Sequence, residues 1–323
     1  MKAILITQPG DPDVLQYGDA PAPQPDADEL LVRVHATAVN RADVLQRRGA
    51  YPPPPGASPI LGLELAGEVV TPSGKWQTGD RVMAVVTGGG YAELATVPIG
   101  MAMPIPEGMS FEYAAAIPEV FLTAYLNLFT LGKLGAGETV LIHAGASGVG
   151  TAAIQLARAA GARVFVTVGS DEKAARCREL GAEVAINYRN EAFATRVKEA
   201  TNGRGVDLVL DFIGAPYWQP NLASLAIGGR LMLIGFLGDS RGQLDIGPIL
   251  AKSLTIAGTT LRRTSLPQKI ALTQGFVAFG LPRFARGELQ PIIDSTYPLE
   301  RAADAHRAME SNSNIGKIVL SVE

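Results

Sequence analysis

The segment Ala144-Gly145-Ala146-Ser147-Gly148-Val149-Gly150 carries residue types that can cradle phosphate. It lies between a continuous apolar run at residues 139–143 and an amphipathic stretch at residues 148–160. That is the setting in which a glycine-rich turn binds a dinucleotide. Gly145, Gly148 and Gly150 permit a tight turn and close approach of the backbone. The N–H groups that open the following helix, including that of Val149, are left to meet a pyrophosphate. Ser147 stands where the second glycine of G-x-G-x-x-G would be, so the match is imperfect. Its hydroxyl has two uses open to it, a bond to a pyrophosphate oxygen or stabilisation of the turn.

Cofactor choice is written at the tip of the next strand, about 20 residues on, where sites for NAD place a carboxylate. Here Val168-Gly169-Ser170 forms the tip and Asp171 comes only afterwards. A 2′-phosphate would be repelled by a tip carboxylate but accommodated by Ser170 and the ammonium of Lys173. The tip therefore points to NADPH rather than NADH. Ser170 also fits a helix N-cap, with Asp171 and Glu172 in the first turn, and both roles can hold at once. Tyr188, at the end of a third strand, either covers the adenine end or simply packs. Gly214 and Gly235-Phe236-Leu237 end later strands and are expected to flank the nicotinamide half, because ligands of open α/β sheets sit at the carboxyl ends of strands.

These residues need an alternating scaffold, and the chain supplies one. Strands are expected at 139–143, 163–168, 185–187, 207–212 and 230–235, with helices at 148–160, 172–180 and 191–200 between the first four. That pattern implies a doubly wound parallel sheet, a Rossmann domain. The first third is different. Short strands at 30–36, 65–70 and 81–86, separated by Gly/Pro punctuation such as residues 51–56, suggest a β-rich, partly barrel-like domain. The tail reads as a helix at 266–286 interrupted near Gly280-Leu281-Pro282, a helix at 299–309 and a last strand at 317–322.

Composition excludes several classes. The chain has 323 residues, 47% apolar and 18% charged, with a net charge of −3. That balance gives no electrostatic footprint for nucleic acid or an acidic membrane. The single cysteine, Cys177, rules out an intrachain disulfide framework and fits a reducing compartment. The opening apolar run is too short for a signal-peptide core. The stretch 114–131 is broken by Pro118, Glu119 and Asn127 and does not read as a membrane span, so a cytoplasmic protein is expected.

The chain resembles the medium-chain dehydrogenase/reductase superfamily from end to end, in its zinc-free quinone oxidoreductase branch related to zeta-crystallin. The resemblance rests on Asn40-Arg41-Ala42-Asp43, Leu61-Gly62-Leu63-Glu64, Gly79-Asp80-Arg81-Val82, Gly90-Tyr91-Ala92-Glu93, the turn at 144–150 and Asn314-Ile315-Gly316-Lys317. It implies a GroES-like catalytic domain at 1–118, an NADPH-binding Rossmann domain at 119–265 and a return to the first domain at 266–323. It also implies a substrate cleft between the domains and a homodimer or higher oligomer. Thr123 matches a position near the nicotinamide, and Asn314 is counted with the cofactor residues.

Zinc is not expected. A catalytic zinc needs three protein ligands and an open position. The corresponding positions hold Asn40, Leu63 and, less clearly, Glu119. Without a Lewis acid the acceptor must already be electrophilic, as a quinone is. The protein then supplies proximity, orientation and some hydrogen bonding to the developing oxyanion. Asn40 and Tyr51 are the candidate catalytic residues, ahead of Arg41 and Asp43. Asn40 equally suits a helix N-cap, and Tyr51, ahead of four prolines, equally suits packing. Two alternatives remain beside quinone reduction. One is reduction of the C=C bond of an enal or enoyl-CoA, for which Arg47, Arg48, Arg262 and Arg263 are the basic candidates. The other is a non-enzymatic NADPH-binding or structural protein.

Overall fold

The computed structural model describes residues 1–322. The chain divides into two units, Met1–Leu122 with Arg262–Glu323, and Thr123–Leu261. The first division falls inside the helix Pro118–Tyr125, not at Pro118 where it starts.

The contiguous unit is built on six parallel strands in the spatial order Val184–Asn187, Arg163–Val168, Thr139–Ile142, Val206–Asp211, Leu225–Leu233 and Thr255–Gly258. The chain starts at Thr139–Ile142, winds outward in one direction, and then returns to pair Val206–Asp211 on the other side. The order therefore reverses beside Thr139–Ile142, the point at which such sheets bind ligands. Leu141, Phe165, Ile186, Val209 and Leu231, one from each of five strands, share one buried cluster. All four residues of Thr139–Ile142 and all six of Val206–Asp211 are buried. A strand covered on both faces favours a continuous apolar run over alternation.

In the split unit, the 11-residue strand Glu29–Val39 is the hub of a seven-stranded sheet. Its early residues pair with Leu94–Pro98, its middle with Glu64–Thr71, and its end with the last strand, Lys317–Ser321. Lys317–Ser321 also runs parallel to Ile293–Pro298. The tail is thus part of this sheet.

The helix Leu266–Ala285 is unbroken, where an interruption near Pro282 was expected. Pro282 sits in the last turn and withholds only one donor, the one that would reach the carbonyl of Ala278. Arg283 donates to the carbonyl of Phe279 at 2.7 Å in the same turn. Phe276 and Phe284 of this helix pack on Phe121, with ring centroids 6.0 and 5.0 Å away.

Candidate phosphate turn and acceptor pocket

The turn at 144–150 has little room for side chains where it needs none. A Cβ on Gly145 would lie 2.6 Å from the Cβ of Val166, and one on Gly150 would lie 2.4 Å from the carbonyl oxygen of Ala144. Ala144 itself takes a left-handed conformation with φ of 49°. For a residue with a Cβ that conformation costs about 1–2 kcal/mol. Ser147 is the N-cap of the helix Gly148–Ala159, and its hydroxyl oxygen accepts the N–H of Gly150 at 3.1 Å. Of its two possible uses, the structure shows the turn-stabilising one. The cap contributes about 1 kcal/mol. What remains is a helix N-terminus beside a tight turn, an arrangement able to hold a pyrophosphate.

At the neighbouring tip, Ser170 caps Asp171–Glu179 by accepting the N–H of Lys173 at 3.2 Å. The carboxylate of Asp171 accepts from the Asn187 side chain at 2.8 Å. A Cβ on Gly169 would lie 2.7 Å from the Tyr188 hydroxyl, so Tyr188 closes over the glycine, and it is 44% exposed. Gly169, Ser170, Lys173 and Tyr188 thus meet at adjacent strand ends. Gly214 follows Val206–Asp211, with Asp211 accepting the N–H groups of Ile213 and Gly214. Burial pushes the Asp211 carboxyl up to about 6 against the pull of those N–H bonds. Gly235, Phe236 and Leu237 follow Leu225–Leu233, with the Phe236 and Leu237 side chains exposed. Thr123 is buried, and its carbonyl accepts from Asn127 at 2.9 Å. Asn314 belongs to the split unit, where its amide donates to the carbonyl of Gly316 at 2.8 Å and closes a turn ahead of the last strand.

Asn40 holds the N-cap position of Arg41–Arg47 by its extended backbone, yet its amide is used elsewhere. Its Nδ2 donates to Glu64 Oε1 at 2.8 Å and more weakly to the carbonyl of Ala38 at 3.3 Å. Its Oδ1 accepts from the ammonium of Lys317 at 2.7 Å. Lys317 also donates to Glu64 Oε1 at 2.7 Å, with side-chain exposures of 3% and 0%. The amide that was expected to donate to an acceptor oxygen is thus engaged with Glu64, the Ala38 carbonyl and Lys317, inside a buried ion pair.

Asp43 accepts the N–H of Asn40 at 2.8 Å and that of Gly62 at 3.2 Å, and burial pushes its carboxyl up to about 6. Tyr91 donates to Asp43 at 3.4 Å and lies 3.2 Å from His306 Nε2. Arg47 bonds His306 and Glu310. Arg41 is turned away, donating to the Met309 carbonyl and to Asn312. The sequence motifs around residues 40, 62 and 90 are thus joined by one buried brace. His143 is likewise structural, held by Thr167 and Asn221. Cys177 is buried, with its thiol pushed up to about 12.

Tyr51, the second expected residue, lines a 620 Å³ pocket with the proline run 52–55, Thr87, Arg262, Arg263 and Lys269. The Arg262 guanidinium lies 5.3 Å from the Tyr51 ring centroid. Burial holds the Tyr51 phenol above its ordinary value, so it stays a donor at neutral pH. Glu64, Lys317 and Lys269 were not evident from spacing. Glu64 and Lys317 close two of the motifs quoted above, but nothing in those motifs shows that they pair, and Lys269 is a single charge in the first turns of a helix.

Residues 148–274 match the zinc-binding dehydrogenase family, and residues 26–107 match the alcohol dehydrogenase GroES-like domain. The chain is 32% identical to a quinone oxidoreductase of Rattus norvegicus over 99% of this chain and 97% of the relative. A mycobacterial protein solved as a complex with NADPH superposes with a TM-score of 0.88 at 33% identity, covering 99% of this chain and 100% of the other. The CurK enoyl reductase superposes with a TM-score of 0.89 at 29% identity, covering 100% and 99%. The zinc that one family name implies does not fit these residues. Leu63 offers no donor, the Asn40 amide is engaged, and no group of three or more His, Cys, Asp or Glu gathers to hold a metal among the described residues.

Proposed function

The chain belongs to the quinone oxidoreductase branch of the medium-chain dehydrogenase/reductase superfamily, and from that premise we propose that it reduces quinones with NADPH and without a metal. The observation that carries this reading is the Tyr51 pocket, where a phenol kept protonated at neutral pH faces a lining of prolines, threonines and cations. When bound, NADPH supplies a hydride from C4 of its nicotinamide.

The chain's own residues bind and orient. The turn at 144–150 holds the pyrophosphate through backbone N–H groups, and Ser170 and Lys173 take the 2′-phosphate. Tyr51 donates its O–H to one quinone oxygen, where negative charge grows as the ring is reduced. Solvent supplies the proton that completes the hydroquinone. A quinone spreads that charge over a conjugated system, so one fixed donor and good alignment suffice where an alcohol or simple ketone would need a Lewis acid.

The structural likeness to an enoyl reductase supports a second reading, reduction of a C=C bond conjugated to a carbonyl. One panel separates the two. NADPH oxidation is followed with ortho- and para-quinones, enals and enoyl-CoA esters. Quinone turnover well above the protein-free rate is expected, and turnover at that background rate refutes the leading reading.

A further inference from the structure

The pocket beside Tyr51 is lined by three cations and no carboxylate. Arg262 is 7% exposed and Lys269 is 7% exposed, while Arg263 is exposed. None of the three has a carboxylate within ion-pairing distance among the described residues. Arg262 spends Nε and Nη2 on the carbonyl of Thr87, at 3.1 and 2.8 Å, while its Nη1 is buried with no hydrogen-bond partner. Buried guanidinium groups are ordinarily satisfied, and an unpaired one asks for an explanation.

Lys269 has its ammonium pushed down by burial, with Glu119 pulling it back up and Arg262 adding to the downward push. Two acids act on this region. Glu119 has its carboxyl pushed up to about 8 by burial and by Glu64; it favours the charged forms of Lys269 and Arg262 only through space and makes no ion pair with either. Asp43 acts on Arg262 only at a distance and is bonded to Asn40 and Gly62. Of the four arginines that could have formed a basic patch, Arg47 and Arg48 are already paired with Glu310 at 2.6 Å. Only the pair at 262 and 263 stays open, and Lys269 joins it.

We propose that this pocket is an anion-accepting subsite, so that the favoured acceptors are electrophiles carrying a carboxylate, sulfonate or phosphate as well as the group to be reduced. The anion sits among Arg262, Arg263 and Lys269 and fixes the acceptor's orientation. The Tyr51 ring and the prolines cover its apolar body. This deepens the reading above, since it assumes that Tyr51 faces the acceptor.

Binding of non-reacting probes tests the charge preference apart from turnover. Naphthalene-2-sulfonate and its neutral isostere naphthalene-2-sulfonamide are titrated calorimetrically into protein saturated with NADPH. The sulfonate is expected to bind at least about 10-fold more tightly, as charge-assisted bonds in a half-enclosed site require. Raising the salt concentration should narrow the gap. Lys269→Met, which keeps the aliphatic stem, should weaken the sulfonate about 10-fold, and Arg263→Ala, at an exposed position, about 2- to 5-fold. Neither should change the sulfonamide. Circular dichroism confirms that both variants fold. Equal affinity for the two probes overturns the proposal, as does sulfonate binding that NADPH abolishes, which would assign the cations to the cofactor. A quinone panel without turnover, beside an intact sulfonate preference, would refute only the reading of the reaction.

Discussion

Replacing Lys317 with methionine tests the buried brace most directly, because methionine keeps most of the stem and removes only the charge. The ammonium lies 2.7 Å from Glu64 Oε1, and both side chains are almost wholly buried. At an effective dielectric constant of 20, that separation corresponds to an attraction of about 6 kcal/mol. Part survives the substitution, since Glu64 still accepts from Asn40 at 2.8 Å and from the N–H of Glu119 at 2.8 Å. Stranding a buried carboxylate in this way costs about 3–5 kcal/mol. Adding Glu64→Gln removes the stranded charge and should recover at least half of the loss. Urea unfolding followed by tryptophan fluorescence reads this out in a Trp218→Phe background, which leaves buried Trp76 to report on the split unit. A loss below about 1 kcal/mol for Lys317→Met, or a double variant no more stable than the single one, would refute the reasoning.

Three further outcomes are expected. Gly150→Ala places a Cβ against two backbone carbonyls, at 2.4 and 2.5 Å, and should destabilise the turn by about 1–3 kcal/mol while weakening NADPH in equilibrium titration; unchanged affinity would contradict the phosphate assignment. Lys173→Glu should weaken NADPH much more than NADH, and similar losses for both would show that this tip does not read the 2′-phosphate. The pH dependence of stability follows from opposite shifts. His306 and His143 are held near 3 and 4, below their ordinary 6.5, so their contribution to stability rises up to about pH 6.5, opposed up to about pH 6 by Asp43 and Asp211, whose carboxyls are both pushed up to about 6. Glu119 is held near 8, above its ordinary 4.5, so the folded state binds the extra proton and stability falls as pH rises toward 8. Between pH 6.5 and 8 the histidines are silent, and Glu119→Gln should abolish the decline seen in urea midpoints; a decline that persists in the variant would exclude Glu119 as its source.

The contiguous unit was legible because its signals are local. Apolar runs such as 139–142 mark strands buried on both faces, and Ser147 and Ser170 mark helix starts by the polar oxygen that an N-cap needs. Where the match broke, it broke over tertiary context. Pro282 reads as a helix breaker until its place in the final turn is known. Asn40 reads as an N-cap or a donor to substrate, and no local pattern reveals that Glu64 and Lys317 claim its amide. Glu64 and Lys317 are 253 residues apart in sequence, so each alone is only a charge in an apolar strand. The pocket cations were half visible. Arg262 and Arg263 stand out as a pair, whereas Lys269 lies in the first turns of an ordinary amphipathic helix.

The late position of Lys317 also sets an order of events during synthesis. The unit Thr123–Leu261 is complete in sequence well before the last strand leaves the ribosome, and a contiguous unit with its own buried core is in principle able to fold alone. The split unit cannot, because Glu29–Val39 lacks one neighbour and Glu64 lacks its counter-ion until Lys317–Ser321 arrives. At roughly 5–20 residues per second, the 253 residues between Glu64 and Lys317 take on the order of 10–50 s to translate. For that interval an open strand edge and an unpaired acid are exposed on the nascent chain. Truncations that remove only the last few residues should therefore leave the nucleotide-binding unit folded beside an unfinished partner.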